Sequence, residues 1–357
     1  MIPPRRILIA CDKFKGSLDA AAACEAIARG LAVRFPDALI ECRPIADGGE
    51  GFAASLAVPL SGQWIEAPAH DALGREITAR YLLAASSNGP LAVMEMAEAS
   101  GMWRIDPQER DILRASTFGT GEMIRHAVLE SGVKRIVIGI GGSATNDGGA
   151  GMAEALGVRI LTDGKGMPVR ADTSGRIPLP PITVACDVEN PLLGPDGATR
   201  VFGPQKGADE TSIPVLENKL AALVRASNGE ADALKPGAGA AGGLGFGLVH
   251  FANAELVPGF DLLASLTGLE EAVAAADLVV TGEGSLDAQS LAGKGPVALA
   301  RLARKHGKPV IAFCGRADER IRNCGLFDSI TDLASTGLPA EELMSRAAEL
   351  LESAAGH

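Results

Sequence analysis

The chain has 357 residues, a formal net charge of −11 and a hydrophobic content of 47%. That acidity leaves no basic footprint for nucleic acid, and no apolar run approaches membrane-spanning length, so neither kind of partner is expected. The length suggests about two domains, and only 4% aromatic residues beside abundant Ala, Val, Leu, Ile and Gly suits an α/β protein with buried parallel strands.

Short apolar runs alternate with helical patterns from end to end. The opening MIPPRRILIA sets basic residues before an apolar run, but that run is too short for the core of a signal peptide. Strands are expected over 6–10, 40–45, 77–83, 91–96, 136–140, 182–185, 278–281 and 310–313. Helices are expected over 18–34, 119–130, 152–156, 214–225, 269–276, 296–306 and 340–354. Turn signals at Pro68 and Gly74 make 63–80 a hairpin or edge region. The alternation predicts the α/β class, with mostly parallel, helix-covered sheets. The expected partition is discontinuous. Residues 1–85 with 280–357 form a Rossmann- or flavodoxin-like α/β domain, and 86–279 form a second α/β domain, because ILIA and VIAF both read as fully buried strands. The six cysteines make no CxxC pair and the five histidines are scattered, so reduced thiols in a cytoplasm and no zinc site are expected. Cys11, Cys186 and Cys314, at strand ends, read as small buried hydrophobes. No heptad or apolar patch indicates an oligomeric state.

The polar motifs follow strand ends. ILIA leads into Asp12, Lys13, Lys15, Gly16 and Ser17; RPIA into Asp47, Gly48, Gly49 and Glu50; VMEMA into Glu98 and Ser100. IVIGI leads into a glycine loop, TVAC into Asp187, LVVT into Glu283, Ser285 and Asp287, and VIAFC into Gly315 and Arg316. In open α/β sheets ligands bind beyond the carboxyl ends of the strands. So many loops rich in acids, glycine and hydroxyls exceed what turns alone require.

The glycine loop, GIGGSATNDGGAG, carries Gly141, Gly142, Ser143, Thr145, Asn146 and Asp147. Its backbone N–H groups and two hydroxyls can wrap an anion such as phosphate, and the helix that follows adds its positive end. Asp147 sits where a metal ion can shield it from a phosphate. Lys13 and Lys15 precede a helix with Ser17 as its expected N-cap, an arrangement that suits an anion. Asp187 is either a turn cap or a base that accepts a hydroxyl proton. Lys206, in FGPQKGA, reads as part of a ligand-gripping loop. Glu283 and Asp287 are loop acids or hard oxygen ligands for Mg2+. The Gly/Ala tract 236–247, with Gly242 and Gly243, fits a ligand loop or a flexible linker. There is no Walker A motif and no protein-kinase set. Gly139-Ile-Gly141-Gly-Ser-Ala144 fits the looser GxGxxA dinucleotide fingerprint, but the loop is prolonged instead of opening a helix.

Taken together, IACDKFKGSL, ADGGEG, ASTFGTGE, GIGGSATNDGGAGM, ACDVENPLLGPDGA, FGPQKGA, PGAGAAGGLGFGL and TGEGSLDAQSLAGK resemble the bacterial glycerate kinases of the type-1 family, in order from 7 to about 315. The resemblance implies ATP-dependent phosphorylation of D-glycerate, usually to 2-phosphoglycerate, by two α/β domains with mostly parallel sheets around an interdomain cleft. It implies D-glycerate and MgATP as ligands. Relatives read closer to IAPDSFKGSL in the first motif, where this chain has Cys11 and Lys13, and 158–181 looks shorter. On this reading Lys13, Lys15 and Lys206 neutralise the carboxylate or the transferred phosphoryl. Asp187 orients or deprotonates the hydroxyl. Ser17, Gly48, Gly49, the 141–149 loop and Gly242-Gly243 contact substrate or phosphate, and Glu283 and Asp287, with Asp47, place Mg2+. Two other classes compete: an NAD(P)-dependent or other nucleotide-dependent enzyme acting on a small hydroxy acid, and a non-enzymatic sensor of a sugar acid.

Overall fold

The computed structural model describes residues 3–46, 48–287, 290–292 and 295–357. Its strands, in chain order, are β1 (Arg6–Cys11), β2 (Leu39–Cys42), β3 (Gln63–His70), β4 (Glu76–Ser86), β5 (Gly89–Glu95), β6 (Arg135–Gly139), β7 (Arg159–Thr162), β8 (Pro168–Asp172), β9 (Ile182–Ala185), β10 (Glu255–Val257), β11 (Leu278–Leu286), β12 (Val310–Ala317) and β13 (Ser329–Asp332). The chain divides into two compact units. One comprises Met1–Asp47, Ala54–Pro59 and Phe260–His357; the other comprises Gly48–Ala53 and Leu60–Gly259.

The first unit is built on a five-stranded sheet in the order β13-β12-β11-β1-β2, with every neighbouring pair parallel. Counted from the unit's own N-terminus the order is 2-1-3-4-5, that of flavodoxin-like sheets, whose ligand crevice opens where the order reverses. Here that switch lies between β1 and β11. After Arg6, β1 is buried throughout, as a parallel strand covered on both faces must be. The helix Ala20–Arg34 packs Ile27 and Leu31 into this core. It crosses the helix Ala347–Gly356 so closely that a Cβ on Gly30 would lie 2.8 Å from that of Ala355. Its N-cap is Asp19, which accepts from the Ala22 N–H at 2.7 Å, and not Ser17. A separate turn closes first, with Leu18 N–H on the Phe14 carbonyl, so the helix begins later than the apolar pattern implies. The expected helix 340–354 is two, Ala340–Ser345 and Ala347–Gly356, broken at Arg346.

The second unit is built on a six-stranded sheet in the order β10-β9-β6-β5-β4-β3. β5, β6, β9 and β10 are parallel, and β4 and β3 complete the sheet antiparallel. Residues 63–85, expected in the N-terminal domain, therefore belong here: β4 returns through a tight hairpin, Ser86 pairing with Gly89, and is bound to β5 by its ladder. Residues 260–279, expected here, belong to the first unit. Pro68 lies on the edge strand β3, where a missing donor is tolerated. Tyr81, Met94, Met123, Ile136, Ile138 and Leu248 are among the core residues. The tract 236–247 is neither linker nor open loop. Ala241, Gly242 and Gly243 are left-handed, and a helix runs on to Ala252 with Leu244, Phe246, Leu248 and Phe251 buried. Among the described residues no helix is long and apolar enough to cross a membrane.

Candidate active site

In the first unit the chemistry collects at the switch point. Cys11 pairs with Gly282, so the segments after β1 and within β11 leave the sheet side by side. The Asp12 N–H donates to the Gly282 carbonyl at 2.8 Å, and the Lys13 N–H donates to Asp12 Oδ1 at 2.6 Å. Asp12 is only 8% exposed, whereas Lys13 is half-buried and Lys15 exposed. Further along β11, Glu283 pairs with Cys314 and Ser285 with Arg316. Glu283 Oε1 accepts from Ser290 Oγ at 2.6 Å. Arg316 Nε donates to Ser285 Oγ at 2.9 Å, and Ser285 Oγ approaches Asp287 Oδ2 at 3.4 Å. Sequence reasoning assigned Lys13, Lys15, Glu283 and Asp287 but gave no role to Asp12, Ser290 or Arg316. The signal for Asp12 was its position directly after β1. Ser17 is used structurally, its hydroxyl donating to the Met344 carbonyl at 2.5 Å. Asp47 lies outside the described residues. Among those described, no group of three or more His, Cys, Asp or Glu is placed to hold a metal ion. Glu283 and Asp287 are two hard carboxylates, and Mg2+ commonly takes one or two together with substrate phosphates.

In the second unit the glycine loop runs out from β6. Gly48 and Gly49 lie against it: the Gly141 N–H donates to the Gly48 carbonyl at 3.3 Å. A Cβ on Gly141 would come within 2.6 Å of Gly49 Cα, so the two backbones need glycine to approach this closely. Glu95, at the end of β5 and unnoticed in the sequence, accepts the N–H groups of Gly51 at 3.2 Å and Ala53 at 2.8 Å, and so anchors the Gly48-Gly49 segment.

The polar side chains of the loop face the protein. Ser143, Thr145 and Asn146 are all at most 5% exposed. Lys206, at the end of the turn Pro204–Lys206, is 3% exposed. Its Nζ donates to Ser143 Oγ at 2.6 Å and to the Thr145 carbonyl at 2.8 Å. Burial pulls this ammonium down to about 7, against an opposing pull from Asp147. Asn146 Nδ2 donates to Thr199 Oγ1 at 2.9 Å, while its buried Oδ1 has no hydrogen-bond partner among the described residues.

Asp147 does not present its carboxylate to a ligand in the way expected of it. Oδ2 accepts the Thr117 N–H and hydroxyl, both at 2.8 Å, and the Gly151 N–H at 3.1 Å; Oδ1 accepts the Gly149 N–H at 3.1 Å. One carboxylate thus caps the starts of two helices, Phe118–Leu129 and Ala150–Ala155. Gly242 and Gly243 lie beneath the same loop: the Gly242 carbonyl accepts from the Gly148 N–H at 3.0 Å, and a Cβ on Gly243 would sit 2.8 Å from Gly148 Cα. Asp187 follows β9, is exposed, and has Oδ1 anchored by the Gly259 N–H at 2.8 Å.

The family model for the glycerate kinase family matches residues 7–357. A glycerate kinase of Halalkalibacterium halodurans is 42% identical, covering 98% of this chain and 96% of the relative. A protein of Escherichia coli K12 named glycerate 2-kinase is 42% identical, covering 87% of this chain and 85% of the relative. A crystal structure from Salmonella typhimurium LT2, described as that of a glycerate kinase 2, superposes with a TM-score of 0.82 at 37% identity, covering 98% of this chain and 96% of the other. These likenesses do not favour the oxidoreductase alternative.

Proposed function

The chain belongs to the glycerate kinase family, and on that premise we propose that it transfers the γ-phosphoryl group of ATP to D-glycerate, giving 2-phosphoglycerate and ADP. The observation that carries the reading is the 42% identity to the Escherichia coli relative named glycerate 2-kinase, which favours the 2-hydroxyl. Phosphoryl transfer asks a protein mainly to position its substrates and to neutralise charge. Lys13 and Lys15, beside the switch point of the first sheet, offset charge on anionic substrate. The backbone N–H groups of the glycine loop hold anionic oxygens, with Gly48 and Gly49 setting the loop's path. Asp187 orients the glycerate hydroxyl and accepts its proton; the Gly259 N–H on Oδ1 fixes the carboxylate for that task. MgATP enters as substrate, and Glu283 and Asp287 supply oxygen ligands to its metal.

The test is ADP release with D-glycerate, the product being passed to enolase alone and then with phosphoglycerate mutase. Direct consumption by enolase is expected. A requirement for the mutase would move the phosphate to the 3-position, and no glycerate-dependent ADP would refute the reading. Asp187→Asn should lose about 100-fold or more in kcat while still binding ATP; a variant that keeps most of its kcat removes Asp187 from the reaction.

A further inference from the structure

Lys206 has the composition of a catalytic lysine and the surroundings of a buried one. It is 3% exposed, and two of its donor directions are used on the glycine loop, at Ser143 Oγ and the Thr145 carbonyl. To touch a transferred phosphoryl group it would have to release that loop. The contact with Ser143 has a chemical consequence. An ammonium can only donate, so Ser143 Oγ must accept, and the serine's own proton is directed elsewhere. Among the described residues, the bond from Lys206 is the single hydrogen bond of that hydroxyl. The surrounding backbone is held as well: Ala144 N–H donates to the Ser100 carbonyl at 2.9 Å, and Gly101 bridges Ser143.

We propose that Lys206 and Ser143 form a relay, in which Lys206 remains in its pocket as a positioning residue and leaves the Ser143 hydroxyl as a dedicated donor to an anionic oxygen of the substrates. A hydroxyl that accepts from a cation becomes the stronger donor, because successive hydrogen bonds polarise one another. Burial lowers this ammonium to about 7, so the relay holds where the amine is protonated, and the binding measurements below are made at about pH 6. The anionic oxygen is a carboxylate or a phosphate. The inference rests on the glycerate kinase reading for the identity of the two substrates, D-glycerate and ATP, and the experiment separates them.

The experiment measures D-glycerate and ATP binding by calorimetry, and KM and kcat for both, on S143A, S143T, K206M and the double variant. S143A and K206M should each weaken the same ligand about 10- to 100-fold, as expected for a lost hydrogen bond to a charged group. The other ligand should stay within about threefold, S143T should recover most of the loss, and the double variant should be no weaker than the poorer single within the same margin. The ligand affected assigns the oxygen: glycerate means carboxylate, ATP means phosphate. Losses that multiply in the double variant would overturn the relay. So would a K206M variant that loses kcat while S143A stays within about threefold of the parent, the result expected of a lysine on the phosphoryl group. If K206M does not fold, the serine pair decides: S143A binding both ligands like the parent overturns the relay. Absence of glycerate-dependent ADP in the parent would refute the kinase reading, yet leave the relay readable from ATP binding. A parent that binds neither ligand refutes both.

Discussion

Replacing Gly242 with alanine tests whether the Gly/Ala tract serves the glycine loop by packing under it. Gly242 has φ +67 and Gly132, on the far side of β6 in sequence, has φ +60. The two backbones therefore impose a similar left-handed strain on alanine, about 1–2 kcal/mol, partly offset by the lost freedom of the unfolded chain, about 0.4–1 kcal/mol. Their surroundings differ. A Cβ on Gly132 meets nothing within 4 Å, whereas one on Gly242 would overlap the carbonyl oxygen of Thr145, with Asn146 Cα at 2.7 Å. That carbonyl must retreat, and it is the one Lys206 Nζ holds at 2.8 Å. Losing a hydrogen bond to a charged, buried donor adds about 1.5–3 kcal/mol. Gly132→Ala should then cost about 1 kcal/mol and Gly242→Ala about 2.5–4 kcal/mol. Urea denaturation gives the totals. Hydrogen exchange gives the location: the Gly148 amide, bonded to the Gly242 carbonyl at 3.0 Å, should lose protection only in Gly242→Ala. Equal stabilities, with protection over 143–151 unchanged, would refute the packing argument and return these glycines to a ligand role.

Asp147→Asn should cost about 2–4 kcal/mol, because an amide cannot accept on both sides and turns its own donors toward N–H groups; retained stability with an altered Mg2+ requirement would restore Asp147 as a metal ligand. Lys206 gives the parent a stability that depends on pH. Its value falls from 10.5 to about 7 on folding, so between those limits the unfolded chain holds the proton and the folded one does not. Stability therefore rises with pH across that window, by up to about 1.4 kcal/mol per unit, and is flat in this respect below it. The difference between parent and K206M in urea midpoints at about pH 7.5 and about pH 9 should show the increment, and parallel curves would contradict it. Ser17→Ala should lose about 0.5–1.5 kcal/mol through the missing bond to Met344 and leave both KM values alone; a KM raised about tenfold would place Ser17 in the substrate site.

The architecture was legible where side-chain burial and strand chemistry coincide. ILIA, IVIG and ITVA could be read as buried strands because covered parallel strands carry apolar residues on both faces, and they are β1, β6 and β9. Their register was not legible. Nothing local in 63–86 says which sheet it joins; that is decided by the Ser86–Gly89 turn binding β4 to β5. The short strands β7, β8, β10 and β13 carry mixed or exposed sequences, so their own burial pattern does not mark them; β7 and β8 pair with each other, β13 with β12 and β10 with the distant β9.

The site divides along the same line. Residue type and position after a strand singled out Lys13, Asp187, Glu283 and the glycine loop, since those are local facts. The direction in which a side chain points is not local. Ser17, Asp147 and Lys206 were each read outward, toward a ligand, and each is turned inward: to the Met344 carbonyl, to the starts of two helices, and to the loop's own serine. A loop of Gly, Ser, Thr, Asn and Asp has too few apolar atoms to hold its own shape in water. For its backbone N–H groups to converge on an anion, some of its polar side chains must be used as internal ties. The hydroxyls and the carboxylate that look like ligands in the sequence are therefore partly what pre-forms the loop, and the Ser143 hydroxyl, whose proton finds no acceptor among the described residues, is the place to look for contact with substrate.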